Sequence, residues 1–562
     1  MQADEDERGE PSLDSAYRSP AAGLGALLAA LGPLLIALAV APAYPRLGPG
    51  ASLLAGALSD PLSSLGAQPL AALGARACAQ LPLGSLALRT SLSSALWLAL
   101  AAAALYRALD LGLHALGLRR ALLASPLALG AVWLAFGSSA LQPSSVQGSA
   151  AALALAALAL ERMAAALERA GSQPRRARVC VRWAALWLAL LLLEQPLLAC
   201  ALALGSAPAL LLGLGQRGLL PVRLTALWLF ALAIWFSVVT TQARSPLDAL
   251  ALQAPSLEAL RALGGTSSAI ARALLAAGAI GLVRLRTLRG PFGLFVGVGL
   301  AFALAACLAV DAAAPARALL PLAAMLTTGA LGLALRARPP GWLAHGCALC
   351  AVALGLSQLQ AEGRSALSRD GSGNELLGDE LRASVPPRAV CMASAETLRA
   401  QRAAELEERV RPDVVLVPGP FRLDLVAARE LERAHPELRD LLRAQLLSPA
   451  HLLPELQGLA MQLPLLLELE PGLPPELRAA LVPQGLWHLL LTSEVSKSDL
   501  RVASASADAR LDQLLGQLDP IGALPELRAT LAGLLGAAAA QASVAGDPER
   551  AQRLRERADS WR

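Results

Sequence analysis

Between Ala21 and Gln360 the chain runs through successive Leu/Ala-rich stretches that contain only eight acidic residues: Asp60, Asp110, Glu161, Glu168, Glu194, Asp248, Glu258 and Asp311. A carboxylate in or beside lipid is costly, so each survivor marks either a loop or a candidate for chemistry. This scarcity constrains the fold more than any motif does. It predicts a mainly α, polytopic helical membrane protein. Composition agrees: 55% of the 562 residues are hydrophobic, 16% are charged and the mean hydropathy is +0.52, too apolar for a soluble chain of this size.

Stretches able to cross a hydrocarbon core of about 30 Å fall at residues 22–43, 90–109, 121–138, 149–167, 183–194, 196–214, 222–241, 267–283, 291–310, 318–335 and 341–359. The fifth and sixth are short and read as two spans or as one bent unit around Glu194-Gln195-Pro196. With residues 1–20 as a cytoplasmic tail, alternate connections should carry the arginines. They do, at Arg107, Arg119 and Arg120, at Arg162 to Arg182, at Arg217 and Arg223, at Arg284 to Arg289, and at Arg336 and Arg338. The expected topology therefore has about eleven spans in the inner (cytoplasmic) membrane, with the C-terminal part outside the cytoplasm. Its long outer connections are residues 44–89 and 242–266, which brings Asp60, Asp248, Glu258 and Asp311 to the outer side and Glu194 near it. Asp110, Glu161 and Glu168 fall among the cytoplasmic arginines and read as helix-end partners.

The polar part begins after residues 21–360, the transmembrane domain. Residues 361–387 read as a linker, 388–500 as an extracytoplasmic α/β domain and 501–562 as a C-terminal helical segment. The α/β reading rests on short apolar runs (Ala389 to Ala393, Val414 to Val417, Leu463 to Leu469, Leu486 to Leu491) separated by helical patterns around 396–411, 424–446 and 474–481. The terminal helices are expected at Asp508 to Leu518, Leu524 to Ala542 and Pro548 to Ser560. The seven cysteines show no paired framework, and Cys347-Ala-Leu-Cys350 lies in an apolar span with no second ligand pair, so packing is the expected role. The arginines sit in short loops rather than on one face, which argues against nucleic acid as a partner.

No phosphate-binding Gly-rich loop, no His-Glu-x-x-His and no Gly-x-Ser-x-Gly occurs. The stretch Leu81-Pro-Leu-Gly-Ser-Leu-Ala-Leu-Arg-Thr-Ser-Leu-Ser-Ser-Ala-Leu96 closely resembles the end of the first outer loop and the start of the second span in a bacterial family of uncharacterised multi-spanning membrane proteins. That family is related to the eukaryotic transmembrane protein O-mannosyltransferases of the GT-C glycosyltransferase class. Thr241-Gln-Ala-Arg-Ser-Pro-Leu-Asp248, followed by Pro255-Ser-Leu-Glu-Ala-Leu260, resembles the family's second outer loop. Val410-Arg-Pro-Asp-Val-Val-Leu-Val417 and Leu481-Val-Pro-Gln-Gly-Leu-Trp487 are similar to two stretches of its C-terminal domain.

The resemblance implies a GT-C-like transferase that moves a sugar, mannose in the related enzymes, from a polyprenyl-phosphate carrier to an extracytoplasmic protein or glycan acceptor. An outer-loop carboxylate would deprotonate the acceptor hydroxyl, and cationic groups would hold the departing phosphate. The family's acidic first-loop motif falls here at Pro49-Gly-Ala-Ser52, and its following motif at Ser64-Leu-Gly-Ala-Gln-Pro69, where only the final Pro and the next Leu70 persist. Two further motif positions fall at Gly148-Ser-Ala150 and Gln195-Pro196, and none of these residues takes a proton. The remaining first-loop acid, Asp60, is the candidate catalytic base, although Ser59-Asp60-Pro61 is also an ordinary turn or capping signal. Arg89 and Arg244 match family positions and are candidates for gripping the carrier, as are Asp248 and Glu194. For the arginines the alternative is interfacial snorkelling, and for Glu194 a kink residue that meets water. The motifs imply no cofactor and leave a divalent cation open. Alternatives to the transferase are an inactive relative that binds a lipid-linked sugar or a protein partner, and a transporter or flippase, for which buried charge is sparse.

Overall fold

The computed structural model describes residues 20–39, 69–83, 86–115, 125–136, 150–215, 291–308, most of 349–360 and 372–393, and, with breaks, 411–419, 428–468, 477–491 and 497–561. Most of these residues are helical. The chain divides into two compact units, one of residues 1–41, 56–81 and 89–367, the other of 42–55, 82–88 and 368–562.

The helices of the first unit are α1 (Pro20–Ala39), α2 (Pro69–Ala79), α3 (Leu86–Ala115), α4 (Ser125–Phe136), α5 (Ala150–Arg169), α6 (Pro174–Glu194), α7 (Pro196–Gly213) and α8 (Pro291–Leu308). Apart from α2, each overlaps an expected span. Two described helices, Leu88–Leu113 and Ala150–Arg169, are long and apolar enough to cross a membrane, and Gly23–Leu38 and Leu198–Gly213 are shorter apolar helices. The spans expected at 222–241, 267–283 and 318–335 lie outside the described residues, as does the tail before Pro20. One segment departs from the expected pattern: the connection 44–89 contains a helix, α2, whose eleven residues are too few to span a bilayer.

Small side chains hold this unit together. Helix α5 is buried on nearly every face, with alanines 150–152, 154, 156, 157, 159 and 164–166 alternating with Leu153, Leu155 and Leu160. Helices α7 and α8 cross where Gly205 faces Gly297, so closely that a Cβ on Gly205 would stand 2.6 Å from the Gly297 carbonyl oxygen. Such approach of backbones is how helices associate when no water drives them together. Helix α1 turns Ala26, Ala29 and Ala37 inward, while Leu24, Leu27, Leu28, Leu31, Leu35 and Leu38 are between 37% and 62% exposed.

The second unit is a three-layer sandwich. Helix α9 (Ser372–Ala383) lies within the stretch expected as linker. A five-stranded sheet follows: β1 (Val390–Ala393), β2 (Val415–Pro418), β3 (Leu465–Leu467), β4 (Leu481–Gln484) and β5 (Trp487–Leu490), in the order β2-β1-β3-β5-β4. The first three strands pair parallel, β5 runs antiparallel to β3, and β4-β5 form a hairpin. Its turn needs Gly485 in the left-handed region, φ +63°, where a side chain would be strained.

Alternation along the strands divides the core in two. Cys391, Ala393, Leu466 and Trp487 pack with α9 and with the C-terminal helices α12 (Lys497–Gln517), α13 (Pro525–Val544) and α14 (Pro548–Trp561). Val390, Met392, Leu465 and Leu467 pack on the other face with α10 (Arg439–Leu447) and α11 (Pro449–Ala460). The helical segment after residue 501 thus shares one core with the sheet instead of forming a separate layer of its own. The four apolar runs named above become strands β1, β2, β3 and β5, whereas β4 overlaps the end of the helical pattern at 474–481.

Candidate functional site

Two of the sequence-derived candidates, Glu194 and Arg89, meet at the two ends of helix α2. Pro69 occupies its first turn, where a missing N–H costs nothing, but the next donors have no acidic side chain of their own turn to accept them. Glu194 accepts them from 124 residues away: Leu70 N–H donates to its Oε2 at 2.9 Å and Ala71 N–H to its Oε1 at 3.0 Å. At the other end, Arg89 Nη1 donates to the carbonyl oxygens of Ala79 at 2.7 Å and Leu81 at 3.2 Å. An anion at the N-terminus and a cation at the C-terminus both oppose the helix dipole, so the two side chains fix α2 electrostatically as well as by hydrogen bonds. Along its length α2 is held close to α3, since a Cβ on Gly74 would stand 2.6 Å from Ser93 Oγ and 3.0 Å from Trp97 Nε1.

Glu194 reaches this position because α6 stops beneath it. Pro196 cannot donate to the α6 ladder, Gln195 is extended (φ −152°, ψ 93°), and α7 restarts at Pro196. The bent-unit reading of this region is therefore realised as two helices joined at one residue. Glu194 is 2% exposed, so the reading in which it simply meets water gives way to a buried carboxylate serving backbone donors. Arg89 likewise has carbonyl partners in place of a simple snorkelling geometry.

Asp60, Arg244 and Asp248 lie outside the described residues, as do Glu258 and Asp311. Asp110 and Glu161, expected as exposed helix-end partners, are each 1% exposed; Ser125 Oγ donates to Asp110 Oδ1 at 2.9 Å. The helix-end reading fails because α3 and α5 continue beyond these residues into the packed interior. Their burial, not visible in a one-dimensional pattern, is the feature that sequence reading missed.

In the second unit burial pushes the Cys391 thiol up to about 12, which makes it a packing group rather than a nucleophile. Among the described residues no group of three His, Cys, Asp or Glu could hold a metal ion. No protein-family model matches the chain, and no curated protein matches it.

Proposed function

We propose that the chain is a multi-pass inner-membrane protein of GT-C type that transfers a sugar from a polyprenyl-phosphate carrier to an extracytoplasmic acceptor, with α2 as the element that shapes the carrier site. The observation that carries this reading is the clamp on α2. Pro69 and Leu70, the pair that persists from the family's first-loop motif, form the start of that helix, and Leu70 N–H is one of the two groups held by Glu194.

The membrane assignment draws support from helix α6. Its first turns expose Arg175, Arg176, Arg178 and Arg182, cations at a helix N-terminus where the dipole disfavours them, so something other than helix stability keeps them there. Trp183 follows, 46% exposed and stacked on Trp187 at 5.9 Å, and then the apolar face of the helix. Positive charge, then aromatic, then aliphatic is the order in which a helix enters a bilayer from the cytoplasm. At about 1.5 Å per residue α6 extends some 30 Å, so Glu194, α2 and Arg89 belong to the opposite, outer side. The outward leucines of α1 fit acyl chains and gain nothing from water.

In this reading Glu194 and Arg89 are positioning residues that act through α2, and Asp60 is the base that takes the acceptor proton as the sugar leaves its phosphate. Arg244 holds that phosphate and Asp248 orients the acceptor. A second reading is favoured by one specific fact: the Glu194 oxygens are each already committed to a backbone donor, which suits a scaffold that binds a lipid-linked sugar without turning it over. Incubation of purified protein in lipid with labelled polyprenyl-phosphate sugars separates the two. Transfer that Asp60→Asn abolishes while retention persists supports the transferase; retention without transfer in the unmodified protein supports the scaffold; neither retention nor transfer removes both.

A further inference from the structure

A cleft in the second unit, independent of the proposed membrane site, lies between the β4-β5 hairpin and helices α12, α13 and α14. Leu511, Leu531, Leu534 and Ala538 line it with apolar surface, and His488, Asp508 and Arg550 bring polar groups to it. Its cavity of about 30 Å³ exceeds the 10–15 Å³ that one water occupies on the same measure, so it admits a short chain of heavy atoms. Apolar walls with a few convergent polar atoms are the common form of a small-molecule site.

The polar atoms define what fits. Arg550 carries five N–H donors. Its Nε and Nη2 engage Asp508 at 2.9 to 3.1 Å, and its Nη1 donates to Ser504 Oγ at 3.1 Å. Three donors are thus committed, and two carry no further acceptor among the described residues. On the opposite side the buried Nδ1 of His488 has no hydrogen-bond partner, and neither does Oε1 of Gln541, the amide beside the imidazole ring. Gln541 Nε2 is already committed to the Leu481 carbonyl at 3.0 Å. One rim therefore offers N–H donors and the other offers acceptors.

Charge decides between ligand classes. Asp508 neutralises Arg550, and burial holds the His488 imidazole neutral by pushing its pKa down to about 3, so the cleft has no net charge to match an ion. A carboxylate would enter as an uncompensated charge beside Asp508, at heavy desolvation cost. An amide group is complementary on both sides: its carbonyl oxygen accepts from Arg550, and its N–H₂ donates to His488 Nδ1 and Gln541 Oε1. We infer that this cleft binds a small uncharged carboxamide with a short aliphatic body.

The test uses the full chain in detergent and reads ligand-observed saturation-transfer NMR with isobutyramide, against isobutyrate of the same shape. The expected result is a saturable isobutyramide signal at least tenfold stronger in apparent affinity than that of isobutyrate, lost in Ala538→Phe, which fills the cleft. In case that variant misfolds, His488→Leu supplies a second arm, with isobutyramide affinity falling at least fivefold while the thermal transition is retained. Equal or tighter isobutyrate binding, no isobutyramide signal, or full signal in a folded Ala538→Phe protein each overturns the assignment.

Discussion

The two units use opposite kinds of side chain for the same purpose. In the first, alanine and glycine face inward and leucine faces out, as on α1, with helices brought together until backbone meets backbone at Gly205 and Gly297. In the second, the interior is filled with large groups, and charge is turned out: along α14, Ala551, Leu554, Ala558 and Trp561 are buried while Arg553, Arg555 and Glu556 are exposed. The difference follows from what surrounds each unit. Burying leucine is worth doing only against water; against hydrocarbon, close contact between small residues is what remains to hold helices together.

If that contrast is right, the units should fail under opposite substitutions. Trp487 is fully buried beneath the C-terminal helices, and its Nε1 donates to the Leu381 carbonyl at 2.8 Å. Trp487→Ala should cost the second unit about 3–5 kcal/mol through the cavity and the orphaned carbonyl, measurable as a lowered thermal transition with α6 tryptophan fluorescence unchanged. In the first unit the damaging change is the reverse. Gly297→Leu drives a side chain into the Gly205 carbonyl, and because backbone cannot step aside the cost should reach about 3 kcal/mol, the upper end for overpacking. The readout is loss of the monodisperse peak in detergent chromatography. Tolerance of Gly297→Leu would mean that α7 and α8 do not pack as described.

The second unit also carries a buried titratable group that should make it sensitive to acid. His488 is pushed down to about 3 by burial, with the nearby Arg550 charge acting in the same sense. The unfolded chain binds a proton near pH 6.5 that the folded chain refuses until about pH 3, so stability is full above the unfolded value and falls as pH drops through that window. The slope is about 1.4 kcal/mol per pH unit for one proton. Denaturation at pH 6.5 and pH 5.5 should reveal that difference in the unmodified chain and a flatter profile in His488→Gln. An unchanged slope would remove His488 from the account.

The sequence revealed what depends on local pattern and concealed what depends on distant pairing. Runs such as Val390 to Ala393 and Leu465 to Leu467 were readable as strands because an apolar run between turn signals has few other uses. Strand β4 was hidden by Pro483, which argues against a strand except at an edge, and β4 is the edge of this sheet. Helix α2 was hidden by its brevity. Glu194 and Arg89 stood out as unusual residues, yet their common partner could not be read: a carboxylate that caps a helix 124 positions earlier leaves no periodic trace. The missing acceptor in the first turn of α2 was the one local hint, visible only after the helix itself is recognised.

The smallest expected effect sharpens the contrast further, because glycine means different things in the two units. Gly205 and Gly297 exist for contact, whereas a Cβ on Gly458, Gly516 or Gly533 would meet nothing within 4 Å. These three lie inside helices α11, α12 and α13, where glycine costs backbone entropy and supplies no approach that a side chain would block. Gly516→Ala and Gly533→Ala should therefore each raise the stability of the second unit by about 0.5–1 kcal/mol, acting mainly on the unfolded chain. A chemical denaturation midpoint shifted upward with unchanged slope is the expected signature. A downward shift at either position would mean that another surface presses on that helix, and the glycine would then belong with Gly205 and Gly297.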